Sequence, residues 1–597
     1  MSGPIVPAPM MATRLGSGRP GVVMRGLSRL TVLMRDLYTP ASETQRIAPA
    51  WRAGMSQQVQ HVSWQAGFGV ADITVFEPGM AMLGWGLPDH IPKGAAHPLR
   101  AKAMAVRRSG RTIVYLVADL CFISASLRIG VLDALAARGC PVEPCDLMLT
   151  ATHTHSGPNG FSHAFFYDMS ALGFSHRVYD RLVEGMLQAI LRAIERLEPA
   201  TVRLGAAQVR GDVLTNRSPG AYRRNPEARG EGVDRELLVL RVDALGGRAI
   251  GAVSFFALHA TSVHSDGAAL HPDHKGIAAA RFERWARGRG ASSEFVAMFA
   301  QGAAGDVSPN VRWDSTRRRM VGPGQDDEAS ATRVADAQVD ATAEAFERAS
   351  VLTGPLDAAL LRADFERRFV PGVFNGGTPA RTSLAQLGLA MAKGTREGPG
   401  PLGSVPVPRR FTRDDPKLTM LRVGPGVRRR LFGHLDPRQI QLPHPIFEHV
   451  QRSEGLLGAW IPTVLPVQLL RLGSFVIAAL PNEPTTTSGH RLRARIKEAL
   501  GVERVHVQGY ANAYSGYLTT PEEYRAQRYE GAYTLFGPHT LGAFAEVLST
   551  LCGRLSGEPK PVEGPPLQRS SDRVLRSRAF ALTATHCPRC CDLGRLS

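Results

Sequence analysis

Three apolar runs in this chain stop abruptly at side chains that bind metals, and this restricts the fold more than any other feature. Leu147–Leu149 leads into Thr-His-Thr-His and breaks at Ser156-Gly157-Pro158. Ile250–Leu258 (IGAVSFFAL) ends at His259, and the strand–turn–strand pattern of Val464–Leu480 delivers Pro481-Asn482-Glu483. Short runs of this kind, bounded by turn residues, predict buried strands. Residues i and i+2 of a strand share a face, so His153 and His155 are expected to look the same way at a strand's end. Two such imidazoles suit a divalent metal, or one holds metal while the other moves a proton. Taken alone, a bare HxH is equally a polar strand end with two surface histidines, and His259 equally a satisfied core histidine.

The runs between them set the layers. Thr112–Leu120 (TIVYLVADL) predicts a buried strand, and Glu236–Val242 pairs with Ile250–Leu258 in a hairpin about a Gly-Gly turn. Leu127–Ala137, Asp180–Leu197 and Ala329–Ala349 predict helices; the second carries apolar residues at 182, 186, 190, 194 and 197. Strands alternating with helices predict an α/β protein, a mixed β-sheet core flanked by helices with the site at strand ends. Phe295–Asn310 is a strand running into a glycine-rich turn with Asp306, Ser308 and Asn310. Such a turn exposes backbone N–H groups that suit an oxyanion, and Ser308 reads as a nucleophile, a hydrogen-bonding group or simply a turn residue. Arg217, just before Ser218-Pro219-Gly220, is a candidate anion or carbonyl clamp, or an exposed loop arginine. Gly509–Pro538 holds Tyr510, Tyr514, Tyr517, Tyr524, Tyr529 and Tyr533 in surroundings polar enough to suggest a site rather than a core.

At 597 residues the chain has room for two domains or one large elaborated one. It has no run of 18 apolar residues, so no transmembrane helix is expected. About half of the net charge of +18 sits in the two ends, which predicts a disordered basic leader over 1–63 and a basic Pro/Arg-rich tail over 556–597. These ends are solvated and flexible, or they contact an anionic membrane surface. Nucleic acid is discounted, because aromatics make up 7% and no nucleic-acid motif accompanies the charge. Cys121, Cys140, Cys145 and Cys552 lack metal-ligand spacing, and the CxxC of Cys587–Cys590 lacks a second pair. Gly372–Arg430, rich in Gly, Pro and Arg, reads as an insertion of surface loops within a folded region spanning 64–555.

GVADIT, ATHTHSGP, NRSPGAY, FFALHATS, AQGAAGDVSPN and TTPEEYRAQRYEGAYTLFGPHTL follow one another between Phe68 and Leu541. In this order they resemble the signature blocks of the neutral (non-lysosomal) ceramidase family. The resemblance implies a Zn²⁺-dependent amidase, one ion per chain, cleaving the N-acyl bond of ceramide to sphingosine and a fatty acid. Carried over motif by motif, it implies that His153, His259, Glu483 and Tyr517 hold the metal. It further implies that His155 and Arg217 contact the reacting centre, that Tyr529 lines it, and that Ser308 is required for activity. A zinc site open to water brings that water's pKa near neutral, and His155 is then suited to protonate the amine leaving group.

The chain departs from the family in four places. Glu483 stands in Asn-Glu-Pro where relatives read Gly-Glu-Phe, and Pro484 fixes φ and removes an N–H. Pro272–Ile277 replaces SDNKGY, the 372–430 stretch is unlike the family's, and about 50 residues follow Leu541 where a β-sandwich domain is expected, so that domain is expected to be missing. Two other readings stand beside ceramide hydrolysis: a zinc amidase on another N-acyl amphiphile, since the motifs fix the chemistry better than the substrate, and a non-enzymatic lipid-binding relative, motivated by the Glu483 context and the missing domain. The resemblance also implies a secreted, periplasmic or membrane-associated protein, although residues 1–60 show no clear signal peptide.

Overall fold

Thr112–Leu120, one of the expected apolar strands, lies next to one edge of a nine-stranded mixed sheet. A computed structural model describes residues 64–555, apart from 141, 169, 172, 401–418 and 423–460, together with 564–567. The expected leader 1–63, nearly all of the tail with Cys587–Cys590, and much of the 372–430 stretch lie outside the described residues.

The large sheet is built from β1 (Trp64–Asp72), β2 (Arg100–Arg108), β3 (Arg111–Ala118), β4 (Leu147–Ala151), β5 (Glu198–Gln208), β6 (Glu236–Ala244), β7 (Ala249–Phe255) and β8 (Val296–Ala300). Their order is β8-β7-β6-β5-β1-β2-β3-β4, and Ser350–Val351 adds a short ninth strand to β5. Neighbours are antiparallel except β3 with β4 and β7 with β8. A second sheet contains β9 (Leu356–Asp364), β10 (Val464–Leu472), β11 (Phe475–Ala479) and β12 (Arg504–Gln508), with β11 and β12 parallel.

Alternation along the strands sorts side chains between two cores. Ile113, Tyr115 and Val117 of β3 share a core with Phe475, Ile477 and Ala479 of β11, so the two sheets pack face to face. Val114, Leu116 and Ala118 of β3 turn instead to the helices outside the large sheet, as Val476 and Ala478 of β11 turn to those outside the small one. Both faces of each strand are therefore covered, which is why these strands read as continuous apolar runs rather than alternating ones. Polar ties cross the inter-sheet core: Tyr115 donates to Gln508 at 2.7 Å, and Arg111 lies between Asp146 and Asp357 at 2.8 and 2.5 Å.

Four helices cover the large sheet: α1 (Ala125–Ala137), α2 (His176–Glu195), α3 (Asp273–Arg287) and α4 (Asp327–Glu347). Two more, α5 (Thr486–Leu500) and α6 (Thr540–Cys552), cover the small one. Ser124, Ser175, Asp326 and Thr485 cap α1, α2, α4 and α5 through side-chain oxygens, each satisfying an otherwise orphaned N–H. In α2, Leu182, Met186 and Ile190 are buried as expected from the sequence and Val178 extends the stripe, while Ile194 is half-buried and Leu197 lies beyond the helix end. The helix lies unusually close to β1, because a Cβ at Gly69 would stand 2.1 Å from Ala189 O. The fold is thus the expected mixed sheet flanked by helices, elaborated into four layers.

Strand direction positions the site. The carboxyl ends of β4, β7, β8, β11 and β12, all members of parallel pairs, run into loops that meet at one place. Ligand sites in open α/β sheets lie beyond these ends.

Candidate metal centre

The site begins where β4 stops. The expected strand ends at Ala151, and His153 adopts a left-handed conformation with φ of 68°. His153 and His155 therefore do not share a face by strand alternation. They meet because the chain turns after Thr152 while its amides still bond to the end of β3 and beyond, His153 N donating to Leu120 O at 2.8 Å. A β-carbon in this region costs on the order of 1 kcal/mol, a strain typical of functional sites.

The turn brings His153 Nε2 to 3.0 Å from His259 Nε2, which arrives four residues beyond β7. Glu483 Oε2 lies 3.3 Å from both nitrogens, and Tyr517 Oη lies 3.4 Å from His259 Nε2. His155 Nε2 stands 3.1 Å from His153 Nε2. Backbone carbonyls take the far nitrogens: His153 Nδ1–H donates to Cys121 O at 2.6 Å and His259 Nδ1–H to Ala304 O at 2.8 Å. Those bonds leave both Nε2 lone pairs aimed at Glu483, the outer-shell arrangement of metal-binding histidines. Tyr510 donates to Glu483 Oε2 at 3.2 Å and Tyr514 to Oε1.

Pro484 leaves this geometry intact. Glu483–Pro484 pairs in parallel with Tyr517–Leu518, using the amides of Glu483 (to Gly516 O, 2.9 Å) and Thr485 (to Leu518 O, 3.0 Å). In such a ladder the residue between them donates nothing to that partner, so the missing N–H of Pro484 breaks no bond of the pair.

The residues fit a divalent cation. A tetrahedral ion with bonds of about 2.0–2.2 Å needs donors roughly 3.3–3.6 Å apart, close to the spacings found. Charge agrees: buried Glu397 and Glu530 already share one guanidinium, Arg217, which leaves a third buried carboxylate, Glu483, costly unless a cation balances it. The protein alone answers by loading His153 with a proton; burial disfavours that charge, but Glu483 outweighs it and raises the ring to about 10. Glu483 itself, pushed up by burial, is held below the usual range by His153 and Tyr514. His155 and His259 are driven well below 6.5, first by burial and then by positive neighbours, and stay neutral.

Other groupings fit less well. Cys121 Sγ lies 3.6 Å from His153 Nδ1, but burial raises the thiol and that nitrogen is already bonded to Cys121 O. In the trio His97, His271 and Glu328, His271 Nδ1 accepts the Asp273 amide at 2.8 Å. Its proton therefore stays on Nε2, which donates to Glu328 at 2.9 Å and leaves no lone pair for a metal.

Arg217, fully buried, is held from three sides. Nε donates to Glu530 at 2.9 Å, one terminal nitrogen to Glu397 at 3.0 Å, and the other to Gly305 O and Tyr517 Oη at 2.8 Å each. It thus touches a candidate ligand rather than an exposed loop. Tyr529 packs edge-on to Tyr517 with ring centroids 5.4 Å apart. Ser308 stands apart from the other expected site residues. Its hydroxyl donates to Glu397 Oε1 at 2.5 Å, beside Thr261 and Asn310 on the same oxygen, and it does not line the cavity.

That cavity, about 350 Å³, is walled by His153, His155, Arg217, Glu397, Glu483, Tyr517 and Tyr529 at the polar end and by aromatic and aliphatic side chains including Trp85, Phe122, Phe166 and Met391 elsewhere. Sequence reasoning missed Glu397, Glu530 and Trp85; Tyr514 was among the tyrosines expected near a site, without a role of its own. Glu530 adjoins Tyr529 in the RYEG motif, and a search for the buried partner of Arg217 would have found it. Glu397 lies in the stretch read as surface loops, and its neighbours offer no periodicity to mark it as buried.

The family model for neutral/alkaline non-lysosomal ceramidase, N-terminal, matches residues 64–546. Neutral ceramidase B of Dictyostelium discoideum is 33% identical over 526 residues, covering 82% of this chain and 72% of the relative. Neutral ceramidase of Pseudomonas aeruginosa is 33% identical over 528 residues, covering 85% and 74%. The crystal structure of the Pseudomonas aeruginosa enzyme superposes with a TM-score of 0.69 at 30% identity over 84% of this chain and 77% of that one. A ceramidase complexed with C2 gives 0.71 at the same identity and coverage. Matched by the family model over most of its length and by relatives at 33% identity, the chain belongs to the neutral/alkaline non-lysosomal ceramidase family.

Proposed function

We propose that the protein hydrolyses the N-acyl bond of ceramide, releasing sphingosine and a fatty acid, with Zn²⁺ held by His153, His259, Glu483 and Tyr517. The observation that carries this is the convergence of His153, His259 and Glu483, from both sheets, at the polar end of an otherwise apolar cavity. The ion supplies Lewis acidity toward the acyl carbonyl and toward a water.

The side chains do the rest. His155, neutral and without a carboxylate beside it, takes a proton from the attacking water at Nε2. As the water oxygen bonds to the acyl carbon and the C–N bond breaks, His155 returns that proton to the amine nitrogen, which otherwise leaves poorly. Arg217 fixes the Tyr517 hydroxyl, and its charge, with a hydrogen bond from Tyr529, favours the developing oxyanion. Trp85, Phe122 and Tyr514 exclude bulk water and hold the chains of the substrate.

A second reading, another N-acyl amphiphile with an acidic head group, is favoured by one feature. A polar chamber of about 330 Å³ shares Arg217, Gly394, Thr395 and Tyr529 with the cavity and adds Arg396 and Arg528. Zinc content and hydrolysis of a fluorescent ceramide, compared between the parent and His153→Ala, test the proposal. One equivalent of zinc with turnover, both lost in the variant, supports it. Zinc without ceramide turnover favours the second reading, and a folded protein that takes up no zinc overturns both. A lipid substrate suits an exported or membrane-associated protein, which fractionation of the source cells checks; among the described residues no helix is long and apolar enough to cross a membrane.

A further inference from the structure

The short hairpin Arg312–Asp314/Arg319–Val321 is chemically unlike its surroundings. Trp313 is 55% exposed, the largest side chain among the exposed hydrophobic residues. Arg312, Arg317, Arg318 and Arg319 surround it within eight residues. Two of the four are neutralised: Arg317 pairs with Asp314 and Arg319 with Asp266, each at 2.9 Å. Arg312 reaches only a carbonyl, Gly324 O at 3.4 Å, and Arg318 sits exposed at the turn with φ of 53°. Neither faces a carboxylate among the described residues.

Its position gives this chemistry meaning. Met320 N donates to Arg396 O at 2.8 Å, joining the hairpin to the Gly394–Gly398 segment that lines the cavity. His264 accepts the hairpin from below, its Nε2–H donating to Met320 O at 3.1 Å, and its ring stacks on Trp85, a cavity wall, with centroids 5.9 Å apart. Arg396 and Arg528, both exposed, extend the positive charge around the adjoining chamber.

We infer that this hairpin docks the protein onto an anionic lipid surface, with Trp313 seated among the head groups and Arg312 and Arg318 on lipid phosphates. Indole prefers the apolar–polar boundary, where its ring is buried and its N–H stays wet. Guanidinium binds phosphate in a fork and gains from the negative potential of such a surface. A bilayer is the occupant that matches both at once, and docking here brings the cavity to the surface that holds an insoluble N-acyl lipid. The inference rests on the lipid-amidase reading.

Sedimentation of the full chain with vesicles of phosphatidylcholine containing phosphatidylglycerol tests it, using Trp313→Ala and the double variant Arg312→Gln/Arg318→Gln. A loss of about fivefold in partitioning for each arginine removed, a several-fold loss for Trp313→Ala, and unchanged turnover of a monomeric short-chain N-acyl substrate are expected. Parent-like partitioning of both variants overturns the inference and leaves any binding to other basic segments. Loss of turnover on the monomeric substrate also overturns it, since the hairpin then acts through the site. Vesicle binding that depends on Trp313 in a protein inactive toward every N-acyl lipid separates the two claims: docking stands and the amidase reading falls.

Discussion

Ser308, a residue of one of the signature blocks, touches the candidate ligands only at a remove. Its hydroxyl holds Glu397, Glu397 holds Arg217, and Arg217 holds Tyr517. Ser308→Ala is therefore expected to lower kcat/KM by about 10–100-fold, the scale of a lost supporting contact, where loss of a nucleophile costs 10⁴ or more. Glu397→Gln should act through the same chain, so the double variant should be no worse than the sum of logarithms and clearly less than additive, as steady-state kinetics of the cycle will show. Tyr514→Phe strips one donor from a buried carboxylate and should lower zinc affinity about tenfold or more, read by competition with a chelator.

His274 sets a pH response. It is wholly buried, with Nε2–H donating to His259 O and Nδ1 accepting from Gln338, each at 2.9 Å. Burial, reinforced by Lys275, holds the ring down to about 4 against the pull of Asp273. The unfolded ring titrates near 6.5, so between these values the unfolded chain binds more protons. The stability contributed by neutral His274 is complete above pH ~6.5 and is lost as pH falls through 4. Urea unfolding at pH 7 and pH 4 should show roughly 3 kcal/mol less of this acid loss in His274→Gln than in the parent.

At the scale of elements, periodicity carried most of the reading. Leu182, Met186 and Ile190 were visible as a stripe because a helix buried on one side repeats every 3.6 residues. β3 and β11 were visible as runs because both of their faces are covered. The hairpin of β6 and β7 formed as expected. Close approach was not legible: nothing in Gly-Phe-Gly announces that α2 lies against it. Gly69→Ala forces a methyl against Ala189 O and is expected to destabilise by about 1–3 kcal/mol, measured as a shift in the urea midpoint with an unchanged slope. The Gly394–Gly398 segment was read as loop, but Gly394–Thr395 pairs antiparallel with Gly398–Pro399 in a short hairpin whose turn carries a buried carboxylate, Glu397, into the site. Loops lack a period, so burial within them leaves no trace in the sequence.

For the whole molecule, the candidate ligands tie two sheets together. His153 and His259 follow strands of the large sheet, and Glu483 and Tyr517 follow strands of the small one. An ion bound only by the folded state stabilises it by mass action, about 4 kcal/mol at a thousand times its dissociation constant. Dialysis against a chelator should therefore lower Tm by several degrees, and zinc but not magnesium should restore it, as calorimetry will show.

Chemistry and layering were determined by the sequence itself. Which residue types can hold a metal, that apolar strands deliver them, and that helices cover those strands all follow from local pattern, because each is written in neighbouring residues. The tertiary structure alone decided the meeting of the ligands. His153 and His155 come together through a left-handed turn and not through strand alternation, and Glu397 and Glu530 reach Arg217 across 180 and 313 residues of chain. Contacts of that kind depend on how the sheets stack and where parallel strands end, and no short stretch of sequence contains that information.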